Sequence, residues 1–198
     1  MKSKLTIKKV EQIETLKYLN AFKITYLNKV GEEKNWELVS RQGMDRLQKE
    51  LYENEIFSDG AMIFATNREK THVVLLREFR VSAGKYIYMV PAGLTDPGET
   101  IEETSKREFL EETGMIFEFV KSAPPRYASV GIVNERVEVA YGFYHGEPSD
   151  VHMSVDEDAQ VIFVDKTMAA HLLSTEDVSI RTALLLEQFF GLNDFFIK

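Results

Sequence analysis

The sequence predicts an α/β fold: a mixed sheet with helices on its faces, preceded by a small N-terminal β-strand region. Three observations predict it. A helix with its own start and stop signals spans roughly Ile101–Thr113. Short runs of strand-forming residues stand before and after it. Residues 1–53 hold two more alternating runs around a polar turn and look unlike the chain that follows.

In the N-terminal region Phe22–Leu27 alternates like a strand, Gly31–Asn35 is a turn, and Trp36–Arg41 is the returning strand. A lone two-stranded hairpin is marginal in water, so this one must pack on the main domain or on a second subunit. Gln48–Asn54 reads as a polar connector, and the main domain is taken as 54–198. There Ala61–Ala65 and His72–Leu76 read as paired strands about the turn-like Asn67–Lys70. Tyr86–Val90 is a third strand, ended by Pro91. At the helix, Asp96-Pro97-Gly98 turns the chain, Thr100 and Glu103 have capping-box spacing, and Gly114 suits a left-handed C′ position. Ile101, Ser105 and Phe109 recur every four residues and should face the core. Ile116–Val120, Val137–Tyr144 and Val161–Val164 read as later strands, with His145–Asp150 as a loop. Ser179–Phe190 has the pattern of an amphipathic C-terminal helix, with Thr175, Glu176 and Asp177 as its cap.

The chain has 198 residues, 44% hydrophobic and 28% charged, enough for one sizeable core or a core with a small appendage. A formal net charge of −8 argues against nonspecific binding to nucleic acid or an anionic membrane, while a local basic pocket stays open. The absence of cysteine excludes disulfides, zinc–thiolate sites and a thiol nucleophile. No long apolar run follows MKSKLTIKK, so neither a signal peptide nor a membrane helix is expected, and a cytoplasmic protein is.

The chemistry concentrates in Gly93–Met115. Asp96, Glu99, Glu102, Glu103, Glu108, Glu111 and Glu112 crowd one short stretch, with Arg107 among them. Glu108 and Glu112 are four apart on one helix face and repel by about 0.2–0.5 kcal/mol when solvated. Glu111 adds to the crowding, and a divalent cation would remove the penalty. Such oxygen donors suit Mg²⁺ or Mn²⁺. By composition alone this is an acidic helix on a solvated surface. The order of the residues says more. Gly93, then Glu99 separated by seven residues from Arg107, and the run Arg107-Glu108-Phe109-Leu110-Glu111-Glu112-Thr113-Gly114-Met115 resemble the Nudix hydrolase box at every fixed position. The flanks are similar to ADP-ribose pyrophosphatases of that family: Pro91–Glu99, Arg77-Glu78-Phe79-Arg80, the Trp36-Glu37 pair followed by Arg41, and Asn134-Glu135-Arg136.

The resemblance implies an α/β/α sandwich, a homodimer with exchanged N-terminal strands, and Mg²⁺-dependent hydrolysis of ADP-ribose to AMP and ribose 5-phosphate, with Mn²⁺ as a substitute. By position it makes Glu108 and Glu112 the main metal carboxylates and the Ala92 carbonyl a further ligand. Glu99 and Glu111 support the array, and Arg107 orients it by ion pairing. Glu157 is matched to a loop glutamate that handles the attacking water, with Asp156 and Asp158 as alternatives. Trp36 is matched to a residue that stacks on adenine across the dimer, and Arg41 and Arg80 to contacts with phosphate or ribose. Glu135 joins the substrate residues by position alone. Without the resemblance, Trp36 is a packing or interface residue, Arg80 a surface charge and Glu157 part of a solvated acidic loop.

Two departures stand out. Met89 occupies a position where relatives often carry Glu, and Ser129-Val130-Gly131 replaces a Ser-Pro-Gly turn. They leave two rivals to ADP-ribose hydrolysis: a pyrophosphatase for GDP-mannose, UDP-glucose or another nucleoside-diphosphate sugar, and a sensor that binds without cleavage. The intact carboxylates oppose the sensor. The acidic net charge opposes an RNA decapping enzyme.

Overall fold

A computed structural model describes residues 5–193 and Phe195. The strands are β1 (Thr6–Thr15), β2 (Asn20–Leu27), β3 (Glu33–Ser40), β4 (Gly60–Thr66), β5 (Val73–Arg80), β6 (Lys85–Met89), β7 (Ala92–Leu94), β8 (Ile116–Ser122), β9 (Arg126–Tyr127), β10 (Arg136–His145) and β11 (Ala159–Val164). The helices are α1 (Met44–Gln48), α2 (Ile101–Thr113), α3 (Lys166–Thr175) and α4 (Ile180–Phe190). The chain divides into two compact units. One runs to Asp59 and takes in Pro125–Val137; the other comprises Gly60–Pro124 and the chain from Glu138 on.

In the first unit β1, β2 and β3 form an antiparallel sheet in that order. The register pairs Phe22 with Leu38 and Ile24 with Trp36. One face therefore presents Phe22, Ile24 and Leu38, and Leu47 of α1 joins them in a buried cluster. The expected hairpin exists, but it is not unsupported: a third strand and a helix give it a core of its own. β1 escapes a reading by alternation because Thr6–Thr15 is mostly polar and bulges at Ile7/Lys9 and Gln12/Glu14 shift its period. Gln48–Asn54 is not a connector. It is the end of α1 followed by a π-helical turn, Lys49–Glu53, closed by Asn54 at φ 58°.

Charge holds Pro125–Val137 in this unit. Arg46 bridges Glu50 and Asp59 at 2.9 Å each. Asp59 accepts from the Arg136 backbone N–H at 2.8 Å, and Glu50 accepts from Asn134 at 2.6 Å. The Val39 N–H donates to the Ile132 carbonyl at 2.9 Å.

The second unit is built on a larger mixed sheet. Its strand order is β11-β5-β4-β10-β8, with β6 added to β5 and β7 to β4. β4 is buried along its whole length, so both faces must be covered. Ala61, Ile63 and Ala65 cluster with Phe109 of α2, Met115 and Phe117. On the opposite face Phe64 meets Phe189 of α4 edge-on at 5.3 Å. The result is α/β/α layering. Full burial of Phe109 contributes about 1.5–3 kcal/mol toward fixing α2 on the sheet.

α2 has the limits its sequence signals. Thr100 Oγ1 accepts from Glu103 N, Glu103 accepts from Thr100 N, and Gly114 closes the helix at φ 71°. The C-terminal cap differs from expectation. Thr175 is the last residue of α3, a helix absent from the sequence reading, and Ser179 caps α4 by accepting from Thr182 N. α3 is hard to read because only Ala169 and Leu172 of its residues are buried, too few to set a period. Among the described residues no helix is long and apolar enough to cross a membrane.

Candidate active site

The site grows from the approach of α2 to β7. β7 pairs with the start of β4, placing Gly93 opposite Ala61 and Ala92 opposite Met62. A Cβ on Gly93 would lie 1.8 Å from the Glu108 carboxyl carbon, so only glycine leaves the cradle in which that carboxylate rests. One turn further along α2, Glu112 Oε2 accepts from the Ala92 N–H at 3.0 Å.

Arg107 ties the array together. Its Nε and Nη2 each donate to Glu99 at 2.8 Å, and Nη2 also donates to the Leu94 carbonyl at 2.9 Å. Nη1 donates to Glu108 at 2.8 Å and to Glu111 at 3.3 Å. Glu99 further accepts from Asp96 N and Thr104 Oγ1 at 3.0 Å each. These bonds, the Arg107 guanidinium foremost, hold its carboxyl down at about 2. Glu99 in turn raises the pKa of Arg107, keeping it charged.

The other two carboxyls behave in the opposite way. Burial raises the Glu108 pKa, with Arg107 offsetting part of the shift. Burial raises Glu112 further, and the neighbouring Glu108 charge adds to it. Glu157 acts on both groups, and Glu78 acts on Glu112. Desolvated carboxyls that repel one another favour a hard cation. Among the described residues no three His, Cys, Asp or Glu side chains converge as a ready-made metal cage. The donor chemistry of Glu108 and Glu112 fits Mg²⁺ or Mn²⁺ all the same, because a bound cation would relieve both the burial penalty and the repulsion.

The structure sorts the remaining predicted residues into two groups. Arg80 and Glu157 lie in the unit that carries α2. Arg80 pairs with Glu78 at 2.7 Å. Glu157 sits on the loop before β11, where its N–H donates to the Ser154 carbonyl at 3.1 Å. Trp36, Arg41 and Glu135 belong to the first unit. Trp36 shares the Phe22–Leu38 face and stays 46% exposed. Arg41 and Glu135 pair at 3.1 Å, giving the residue matched by position alone a direct partner. The sequence reading passed over Glu78. The signal was present in Arg77-Glu78-Phe79-Arg80, since strand alternation puts Glu78 on the same face as Arg80. Met89 ends β6 opposite Leu76 and is half-buried.

A sheet covered by helices on both faces carries a glycine-cradled carboxylate, Glu108, with Glu112 and the Arg107 clamp on the same helix. The model of the NUDIX domain matches residues 57–186, and the chain belongs to this family. GDP-mannose pyrophosphatase of Enterobacter sp. (strain 638) is 32% identical over 157 residues, covering 73% of this chain and 78% of that protein. ADP-ribose pyrophosphatase of Escherichia coli O157:H7 is 28% identical over 115 residues, and the match spans 54% of this chain and 55% of that protein. Among solved structures, an ADP compounds hydrolase superposes with a TM-score of 0.69 at 20% identity, over 96% of this chain and 97% of that one, a likeness of fold.

Proposed function

We propose that this chain hydrolyses the pyrophosphate bond of a nucleoside-diphosphate sugar with the help of Mg²⁺ or Mn²⁺. The observation that carries the reading is the pair of desolvated carboxyls, Glu108 and Glu112, beside the Arg107–Glu99 clamp. Glu108, Glu112 and the Ala92 carbonyl would hold the metal, with Glu99 and Glu111 in support. When bound, the cation neutralises phosphate charge, polarises phosphoryl oxygens and lowers the pKa of water. Arg107 keeps Glu108 and Glu111 aimed, Glu157 accepts the proton of the attacking water, and Arg80 offers a planar donor pair to phosphate. By the family resemblance, Trp36 would stack on the base across a homodimer, with Arg41 and Glu135 as further substrate contacts.

On the sugar nucleotide, GDP-mannose now leads ADP-ribose. The relative that acts on GDP-mannose matches more of the chain at higher identity. Met89 and Ser129-Val130-Gly131 also depart from the ADP-ribose pattern. A panel of GDP-mannose, ADP-ribose, ADP-glucose and UDP-glucose with Mg²⁺, read by product mass, tests both levels. The expected result is a nucleoside monophosphate and a sugar phosphate, fastest from GDP-mannose. Faster turnover of ADP-ribose would reverse the order of substrates. Failure to cleave any of the four would overturn the enzyme reading, and equal cleavage by Glu108→Gln would overturn the metal role of Glu108.

A further inference from the structure

β5 splits its side chains between two tasks. Glu78 and Arg80 share one face, and Glu78 contributes to the raised pKa of Glu112. Arg77 and Phe79 point the other way and both meet Tyr86 of β6. The Arg77 guanidinium lies 3.8 Å from the Tyr86 ring centroid, and the Phe79 ring packs edge-on at 5.4 Å. Held on two sides, Tyr86 donates its hydroxyl to the Asp158 carboxylate at 2.6 Å. Asp158 is tied a second time, its carbonyl accepting from Phe79 N at 2.8 Å. A phenol–carboxylate bond of this length is charge-assisted and among the stronger hydrogen bonds in proteins. Asp158 also raises the Tyr86 pKa, so the donor keeps its proton through neutral pH and above.

Asp158 directly follows Glu157. The Glu157 carboxylate accepts from Ser154 N at 3.3 Å, folding the loop into a tight turn that ends at the doubly tied residue. Tyr86 engages the Asp158 carboxylate, so Asp158 differs from its neighbour Glu157, whose carboxylate bonds within its own turn.

We propose that Tyr86 is a positioning residue: by latching Asp158 it fixes the turn that carries the neighbouring Glu157. The proposal rests on the reading of Glu157 as the group that handles the attacking water. Tyr86→Phe removes the hydroxyl and keeps the ring on Arg77 and Phe79. In the metal-free full chain, hydrogen exchange at the Met153 and Glu157 amides should quicken about tenfold in this variant, with α2 amides unchanged. With Mg²⁺ and the best sugar nucleotide of the panel, kcat should fall about tenfold while KM stays within about twofold. In a Glu157→Gln background, Tyr86→Phe should add less than about twofold, since both changes act on one group. Asp158→Asn keeps an acceptor oxygen and should lie between parent and Tyr86→Phe. Unchanged loop exchange, or an equal kcat loss in the Glu157→Gln background, would overturn the latch. A slow Glu157→Gln with a fully active Tyr86→Phe would sink the latch alone. An unimpaired Glu157→Gln would sink the reading of Glu157 and the proposal with it.

Discussion

Replacing Gly93 with alanine should destroy activity without unfolding the protein. The added Cβ would lie 1.8 Å from Glu108 Cδ and 2.1 Å from each of its oxygens. To restore an ordinary contact near 3.4 Å, the carboxyl must retreat by roughly 1.6 Å. The obstacle is the far end of a flexible side chain, and an off-rotamer glutamate costs only about 0.5–1.5 kcal/mol. The retreat also takes Glu108 Oε1 off Arg107 Nη1, a 2.8 Å bond. A misplacement of about 1 Å at a reacting centre can cost 10²-fold, so kcat should fall by about a hundredfold and the Mg²⁺ requirement should rise. Gly60→Ala is the control. There the added Cβ would lie 2.3 Å from the Gly93 carbonyl oxygen, a backbone atom, so the β4–β7 pairing itself must open. A loss of about 1–3 kcal/mol is expected, which lowers Tm by roughly 2–12 °C in a chain of this size. Steady-state kinetics across a Mg²⁺ titration, with thermal melts of both variants, decide the matter. A Gly93→Ala protein with kcat within threefold of the parent would refute the cradle argument. So would a fall in Tm as large as that of Gly60→Ala.

Three further outcomes are expected, the first from the burial of Glu112 and the other two from the family resemblance. Burial raises the Glu112 pKa, so the native state binds this proton more tightly than the unfolded chain, and stability is lost as pH rises from 4.5 through the raised value. In EDTA, Glu112→Gln should therefore melt higher than the parent at pH 7.5 and equally near pH 4, and equal melting at both would contradict the desolvation. Trp36→Ala should raise KM for the sugar nucleotide roughly ten- to a hundredfold with kcat little changed, if the indole stacks on the base; an unchanged KM would return Trp36 to a packing role. The full chain should sediment as a dimer at micromolar concentration, and a monomer there would dispose of exchanged N-terminal strands.

What could be read from the sequence was local. Every signal for α2 lies within a few residues of its ends: the Asp96-Pro97-Gly98 turn, the Thr100–Glu103 box and Gly114 at positive φ. The spacing of Glu108 and Glu112 follows from helix geometry alone. What stayed hidden depends on partners distant in sequence or on strands without a clean period. Arg41 and Glu135 are 94 positions apart, and no local pattern announces that they pair. Pro125–Val137 belongs to the first unit, where Asp59 binds the Arg136 backbone and Glu50 binds Asn134, contacts that leave no periodic trace. β1 is a strand because β2 offers it a register, despite a mostly polar sequence. The argument from an unsupported hairpin to an exchanged dimer fails for the same reason: the support was in the chain, in residues whose pattern did not show it.

The electrostatics of α2 explain why one arginine among so many carboxylates does not simply neutralise them. Arg107 gives two of its donors to Glu99, which also accepts from Asp96 and Thr104 and so stays ionised down to about 2. That pairing fixes the guanidinium against β7 through the Leu94 carbonyl and leaves a single nitrogen, Nη1, to share between Glu108 and Glu111. No donor of this clamp bonds Glu112, whose bonded partner is the neutral Ala92 N–H. The array thus separates two kinds of carboxylate: Glu99, held charged by its donors, and Glu108 and Glu112, whose burial works against their charge. On the proposed function, a divalent cation would relieve the burial penalty of these two carboxyls. The same arrangement makes the metal-free form the one in which Glu108 and Glu112 hold their protons most tightly.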